Sequence, residues 1–326
     1  MRFTVLAIVL CVSSRAHAWG ERGHDVVTRV AARLVAARMI DDPSLSTPLV
    51  QREHMLAHLA NVPDIVWRAG DQATAKANGP THYINWEKLL SSPTRDDAPR
   101  AYAKAVELAK ARGVDLAGDV GTAPWRVEQL ATAMATALGK VKQQGASEER
   151  VNEALLYAGL LSHFVGDLAQ PYHNTNDHDG WQTGQGGIHA YFESDLVNAA
   201  PLQLEADVYA VALATEPAKK LVSGTDPVAI AIAESFDALG QLDDVRRLDS
   251  VHALIARGDA KKPAKRKPVA ATLPYFQARI TERLATGADV LATLWINAWV
   301  AAGKPDMRAY KSYVYPTHPD FIAPSY

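Results

Sequence analysis

The sequence predicts an all-α protein. Apolar residues recur at helical spacing in one segment after another, and no segment alternates convincingly as a strand. Gly and Pro gather between the periodic stretches, and Ala is abundant. In chain order the periodic segments are DVVTRVAARLVAARMI (25–40), PLVQREHMLAHLA (48–60), APRAYAKAVELAKAR (98–112), WRVEQLATAMATALGKVKQQ (125–144) and ERVNEALLYAGLLSHFVGDLA (149–169). They continue with GIHAYFESDLVNAA (187–200), DPVAIAIAESFDALGQL (226–242), LDSVHALIARG (248–258) and PYFQARITERLATGADVLATLWINAWVAAG (274–303). Two stretches break the pattern. Residues 173–187 are polar and Gly-rich; residues 257–272 are basic and Pro-broken, read as a solvated loop or as a local patch for phosphate polymers or lipid headgroups. With no internal repeat and no clear boundary, one large helical domain over 19–326 is the economical architecture.

Residues 1–18, MRFTVLAIVLCVSSRAHA, read as a secretory signal peptide: Arg2, an apolar run over 3–12, and an A-x-A end at Ala16-His17-Ala18. The run is too short to span a bilayer; an N-terminal anchor is the alternative. The single cysteine, Cys11, lies in this segment, so the processed chain must be held by its core, by metal, or by both. The net charge of −2 becomes more negative once Arg2 and Arg15 leave, which gives no global basic field for duplex DNA. No Asn-x-Ser/Thr sequon is present. These features suit a secreted or periplasmic bacterial protein, and no stable protein partner is expected.

The chemistry concentrates in LLSHFVGDLAQPYH (160–173). His163 and Asp167 are four apart and so share one face of a helix, Pro171 ends that helix, and His173 follows. His189 and Glu193 repeat the four-residue spacing after a Gly pair. Asp64 in NVPDIVW, His82 in GPTHYINWE and His24 in WGERGHDVV complete the set. Taken singly, each has an ordinary reading: a satisfied core or surface histidine, or a helix N-cap for Asp64 beside Pro63. Together they point to a multinuclear metal site. Nitrogen and oxygen ligands without thiolate suit zinc outside the cell, and manganese or iron is compatible by ligand type. His54 and His58, also four apart, read as a helix face or an adventitious metal site.

WGERGH, THYIN, HFVGDLAQPYH and GGIHAYFE resemble the S1/P1 nuclease and zinc-dependent phospholipase C superfamily over most of Trp19 to about Asn198. The resemblance implies an all-α domain of that type holding three Zn2+ ions per chain. One would take Asp64, His82, His163 and Asp167. A second would take His173, His189 and Glu193. The third would take His24, the other oxygen of Asp167, and the amine and carbonyl of Trp19. A free α-amine can lose its proton to a metal, so signal cleavage would create a ligand. The implied activity is metal-assisted phosphodiester hydrolysis, with Asp64 and Asp167 both holding metal and orienting the attacking water, and Arg68 adding charge on the leaving side. Nucleases of the family carry Arg three residues after the first Asp; here Trp67 stands there and Arg68 follows.

The nuclease branch is favoured by the WG-x-x-GH spacing and by HYIN, which supplies Tyr83 and Asn85 for base binding. Tyr83, Trp86 or Trp181 could stack on a base, with core packing as the alternative for each. Glu193 points the other way, since nucleases of the family usually carry Asp there. The aromatics of a choline pocket are replaced by Ile65 and Gly79. The expected substrate is therefore single-stranded DNA or RNA, cut to 5′-mononucleotides, with 3′-nucleotidase activity in range. A phospholipid is the alternative substrate, and a non-catalytic secreted zinc-binding protein the third reading.

Overall fold

The computed structural model describes residues 19–221, 224–259 and 262–308; the segment read as a signal peptide lies outside them. Among the described residues, eight helices have ten or more residues: α1 (Gly20–Arg38), α2 (Glu53–Val62), α3 (Tyr102–Ala111), α4 (Ala123–Gln144), α5 (Glu148–Ala169), α6 (Leu204–Thr215), α7 (Pro227–Leu239) and α8 (Val269–Ala301). The only paired strands among them are β1 (Leu254–Ala256) and β2 (Lys265–Arg266), antiparallel. The fold is all-α, as expected.

Helix α5 forms the centre and packs against α4, α2, α8, α7 and α1. Its start and stop are written locally. The Ser147 hydroxyl accepts the Arg150 N–H, Glu148 and Glu149 occupy the positive first turn, and Pro171 follows the end. Every residue from Ala158 to Ala169 is buried. Leu161, Phe164 and Leu168 are fully buried, worth roughly 1.5–3 kcal/mol each. Helix α8 is long and apolar enough to cross a bilayer, but its most apolar stretch is 72% buried, so it serves as a core helix lying across α1 and α6.

The differences from expectation lie at element ends. The segment 48–60 is two helices, Ser46–Gln51 and α2, broken at Arg52. The stretch 187–200 is a three-residue helix, a π-helical turn and a short helix. The helix expected to reach 258 stops at Ala253, and the chain continues as β1 because it pairs there with β2. Within the basic stretch 257–272, Lys265–Arg266 form β2, and α8 takes the last four residues, starting at Val269 after Pro268 and accommodating Pro274 in its second turn.

Candidate metal centre

Two glycines of α5 let the site assemble. A Cβ on Gly159 would lie 2.5 Å from the Leu59 Cβ, so α2 approaches closely at that point. A Cβ on Gly166 would lie 2.8 Å from His24 Nδ1, so α1 brings its histidine against the same face. Below α2 the chain makes a π-helical turn, Pro63–Trp67, that carries Asp64. Asp64 is therefore not a cap; the next helix is capped by Asp71, which accepts from the Thr74 N–H. Tight 3-10 turns deliver His82 (Gly79–His82) and His173 (Pro171–Asn174). Gly187, at φ 86°, opens the short helix bearing His189, and a second π-helical turn, Tyr191–Asp195, carries Glu193.

All eight side chains expected to bind metal converge, and all are buried. His82, His163 and Asp167 form one group, His173, His189 and Glu193 another, and His24, Asp64 and His163 a third, each with ligand atoms within 4.8 Å of one another. Asp167 is at the centre: Oδ2 lies 3.0 Å from His82 Nδ1 and 3.4 Å from His163 Nε2, and Oδ1 lies 3.5 Å from His24 Nε2. Glu193 Oε2 lies 2.7 Å from His189 Nε2 and 3.6 Å from His173 Nε2. Trp19, buried with left-handed backbone (φ 38°), donates its N–H to Glu193 Oε2 at 3.2 Å. Its nitrogen therefore borders the Glu193 group, whereas the expectation paired it with His24 and Asp167. His54 and His58 are exposed and join none of the three groups.

The protonation pattern fits a cation. His163 Nδ1 donates to the Ala60 carbonyl (2.7 Å), His173 Nδ1 to the His82 carbonyl (2.6 Å) and His189 Nδ1 to the His178 carbonyl (2.5 Å). Each carbonyl fixes the tautomer and turns an Nε2 lone pair inward. His173 Nε2 and His189 Nε2 then face each other at 3.0 Å. Two lone pairs at that distance repel unless a proton or a metal cation lies between them. Oδ1 of Asp167, Oε1 of Glu193 and Nε2 of His82 are buried without hydrogen-bond partners among the described residues. Burial pushes His82 down to about 3, and burial with His24 and His82 as neighbours holds His163 well below the usual imidazole range. Burial also pushes Asp167 well up, aided by Asp64 and Glu193. Burial alone would raise Glu193, but His189 and His173 outweigh it and hold it at about 2. Burial alone would lower His189, but Glu193 in turn raises it. The neutral His82 and His163 imidazoles and the crowded carboxylates form a donor set that a divalent cation would satisfy.

A cavity of about 440 Å³ opens onto His82, His173 and His189, and Arg68, Tyr83 and Asn85 line it too. Arg68 Nη2 lies 2.9 Å from Asp64 Oδ1, so the one-residue shift still brings the guanidinium to the site. Asn85 donates to the Asp119 carbonyl at 2.7 Å, while its Oδ1 is buried and has no partner among the described residues. Trp86 does not face the cavity: it is fully buried, stacks on Phe236 and donates to Ser235 Oγ. Trp181 is 38% exposed and lies outside the cavity lining.

Supporting residues were missed by sequence reasoning. Gln170 donates to Glu193 Oε2 at 2.9 Å and accepts from the Tyr172 N–H. Asp179 Oδ1 accepts the His189 N–H at 3.1 Å. Arg266 grips both oxygens of Asp249 and the carbonyls of Gln185 and Gly186, which fixes the loop leading to His189. Gln170 could have been found from its place between the two histidines of the motif; the Arg266–Asp249 pair left no local signal.

No curated protein matches the chain. A family model described as S1/P1 Nuclease matches residues 19–198, more than half of the chain and the whole span from Trp19 through Glu193. The chain belongs to the S1/P1 nuclease family.

Proposed function

We propose that the protein is a secreted or periplasmic, zinc-dependent phosphodiesterase that cuts single-stranded DNA or RNA to 5′-mononucleotides, holding three zinc ions. The observation that carries this is the set of inward-turned Nε2 lone pairs, two of them on histidines that line the cavity, together with the buried carboxylate oxygens of Asp167 and Glu193 that lack a partner among the described residues. The ligand sets are Asp64, His82, His163 and Asp167; His173, His189 and Glu193; and Trp19, His24 and Asp167. The nearness of the Trp19 nitrogen to Glu193 supports a place for a freed amine in the centre. When bound, the cations supply the Lewis acidity that brings water toward ionisation at neutral pH and the charge that neutralises a phosphodiester.

The chain's own residues do the rest. Asp64 and Asp167 set the position and orientation of the attacking water through their fixed carboxylates. Arg68, held by Asp64 at the cavity wall, brings positive charge to the leaving oxygen. The orphan Asn85 carbonyl accepts from the N–H edge of a base, and the Tyr83 ring offers it a stacking face. A base must leave a duplex stack to enter, which favours single strands. Gly79 puts no side chain into the cavity lining, which argues against an aromatic cage for choline.

The test is hydrolysis of single-stranded RNA and DNA by zinc-loaded protein beginning at Trp19. Release of 5′-mononucleotides that stops with chelator is expected. No release with zinc bound would overturn the nuclease reading and shift the substrate to phospholipids.

A further inference from the structure

The basic hairpin stretch is not explained by the metal centre. Residues 257–267 hold six cations and one acid in a chain of net charge −2. Two of the cations are used for construction. Arg266 binds Asp249, and Arg257 Nη1 donates to the Thr183 carbonyl at 2.5 Å. Lys262, Lys265 and Lys267 are exposed, and none forms an ion pair among the described residues.

This basic edge is fastened to the cavity rim. Gly258 N–H donates to the Gly184 carbonyl and Ala264 N–H to the Gly186 carbonyl, both at 2.9 Å. The loop so held starts at Asn176 and His178, which line the cavity. Between rim and hairpin the loop presents Trp181, 38% exposed. A Cβ on Gly186 would lie 2.4 Å from Trp181 Cε3, so the ring packs closely against that glycine while part of it stays exposed. Exposed aromatic rings beside exposed lysines are what a single strand uses: bases stack, and phosphates pair with lysines.

We infer that the 176–187 loop and the hairpin form an accessory platform that holds the single strand beyond the nucleotide in the cavity. Trp181 stacks on a base, and Lys262, Lys265 and Lys267 contact phosphates. The platform favours polymers over dinucleotides and sets the salt dependence of cleavage. The inference rests on the phosphodiesterase reading, and its test separates the two.

The experiment compares the wild type with the triple variant Lys262→Gln/Lys265→Gln/Lys267→Gln, and separately with Trp181→Ala, on a dinucleotide and on a long single-stranded oligonucleotide at several salt concentrations. The expected result is unchanged dinucleotide hydrolysis by the triple variant, with a KM on the long strand raised about tenfold at low salt. The slope of log kcat/KM against log salt should become shallower by about 2, since each single-strand phosphate contact contributes roughly 0.7. Trp181→Ala should raise the same KM without changing the slope. A second readout, fluorescence anisotropy of a nonhydrolysable phosphorothioate strand, reads the platform independently of cleavage. A wild type that binds the strand but cuts neither substrate contradicts the phosphodiesterase reading alone. Equal affinity and equal slopes for wild type and triple variant overturn the platform. So does a variant defect confined to binding anionic vesicles, which would assign the lysines to lipid headgroups.

Discussion

The two i,i+4 pairs of the centre have the same spacing and are held by different means. His163 and Asp167 end a 22-residue helix whose last twelve residues are all buried. Phe164 meets the His163 ring edge-on at 5.1 Å, and Gly159 and Gly166 let neighbouring helices close in. His189 and Glu193 lie on a three-residue helix and a π-helical turn. They are held by polar contacts: the His178 carbonyl, the Asp179 carboxylate, the Gln170 amide and, one step back, the Arg266–Asp249 pair. A helix inside a packed core is fixed by many contacts at once, so a change there is felt throughout, whereas a turn held by a hydrogen-bond network can be loosened one contact at a time. The first pair is therefore the rigid half of the centre and the second the tunable half.

Changes on the rigid side should cost most. Asp167→Ala removes the carboxylate that touches three histidines and should lower kcat/KM on single-stranded RNA on the order of a thousand-fold or more, with loss of bound metal read by elemental analysis. Near-normal turnover in that variant would refute the cluster as drawn. Gly166→Ala drives a methyl into His24; a loss of about 1–3 kcal/mol in urea unfolding, together with weakened activity, is expected.

On the tunable side the effects should be graded. Arg266→Ala frees the loop before His189 and should weaken metal binding to the His173–His189–Glu193 group by about 10- to 100-fold, with the two groups that share His163 unaffected in a chelator competition. Arg266→Lys keeps the charge but not the fork and should restore only part of that loss. The smallest effect is expected from Gln170→Leu, about tenfold in the same competition, through loss of the N–H given to Glu193. Equal losses at all three groups in these variants would erase the distinction between the two halves.

The legible parts of the centre were those fixed by local geometry. Four-residue spacing put His163 beside Asp167 and His189 beside Glu193 wherever the helices went, because i and i+4 share a face. The helices themselves were legible from periodicity, and Pro171 marked the end of α5. What sequence reading missed depends on distant partners. The close approaches at Gly159 and Gly166 are made to Leu59 and His24. The carbonyls that set the imidazole tautomers come from residues up to 103 positions away, as for Ala60 and His163. Trp86 reads as a candidate base-stacking ring until Ser235 and Phe236 are seen to enclose it. The segment after Ala253 looks helical until β2 gives it a partner.

The central claim is that these buried groups hold three zinc ions, the third completed by a free Trp19 amine. The most direct measurement is native mass spectrometry of zinc-loaded protein beginning at Trp19, beside the same protein with residues left ahead of Trp19. The account predicts three zinc ions in the first, and fewer in the second together with a large loss of activity. One zinc or none in the protein beginning at Trp19, or equal metal content and full activity in the extended form, would contradict it.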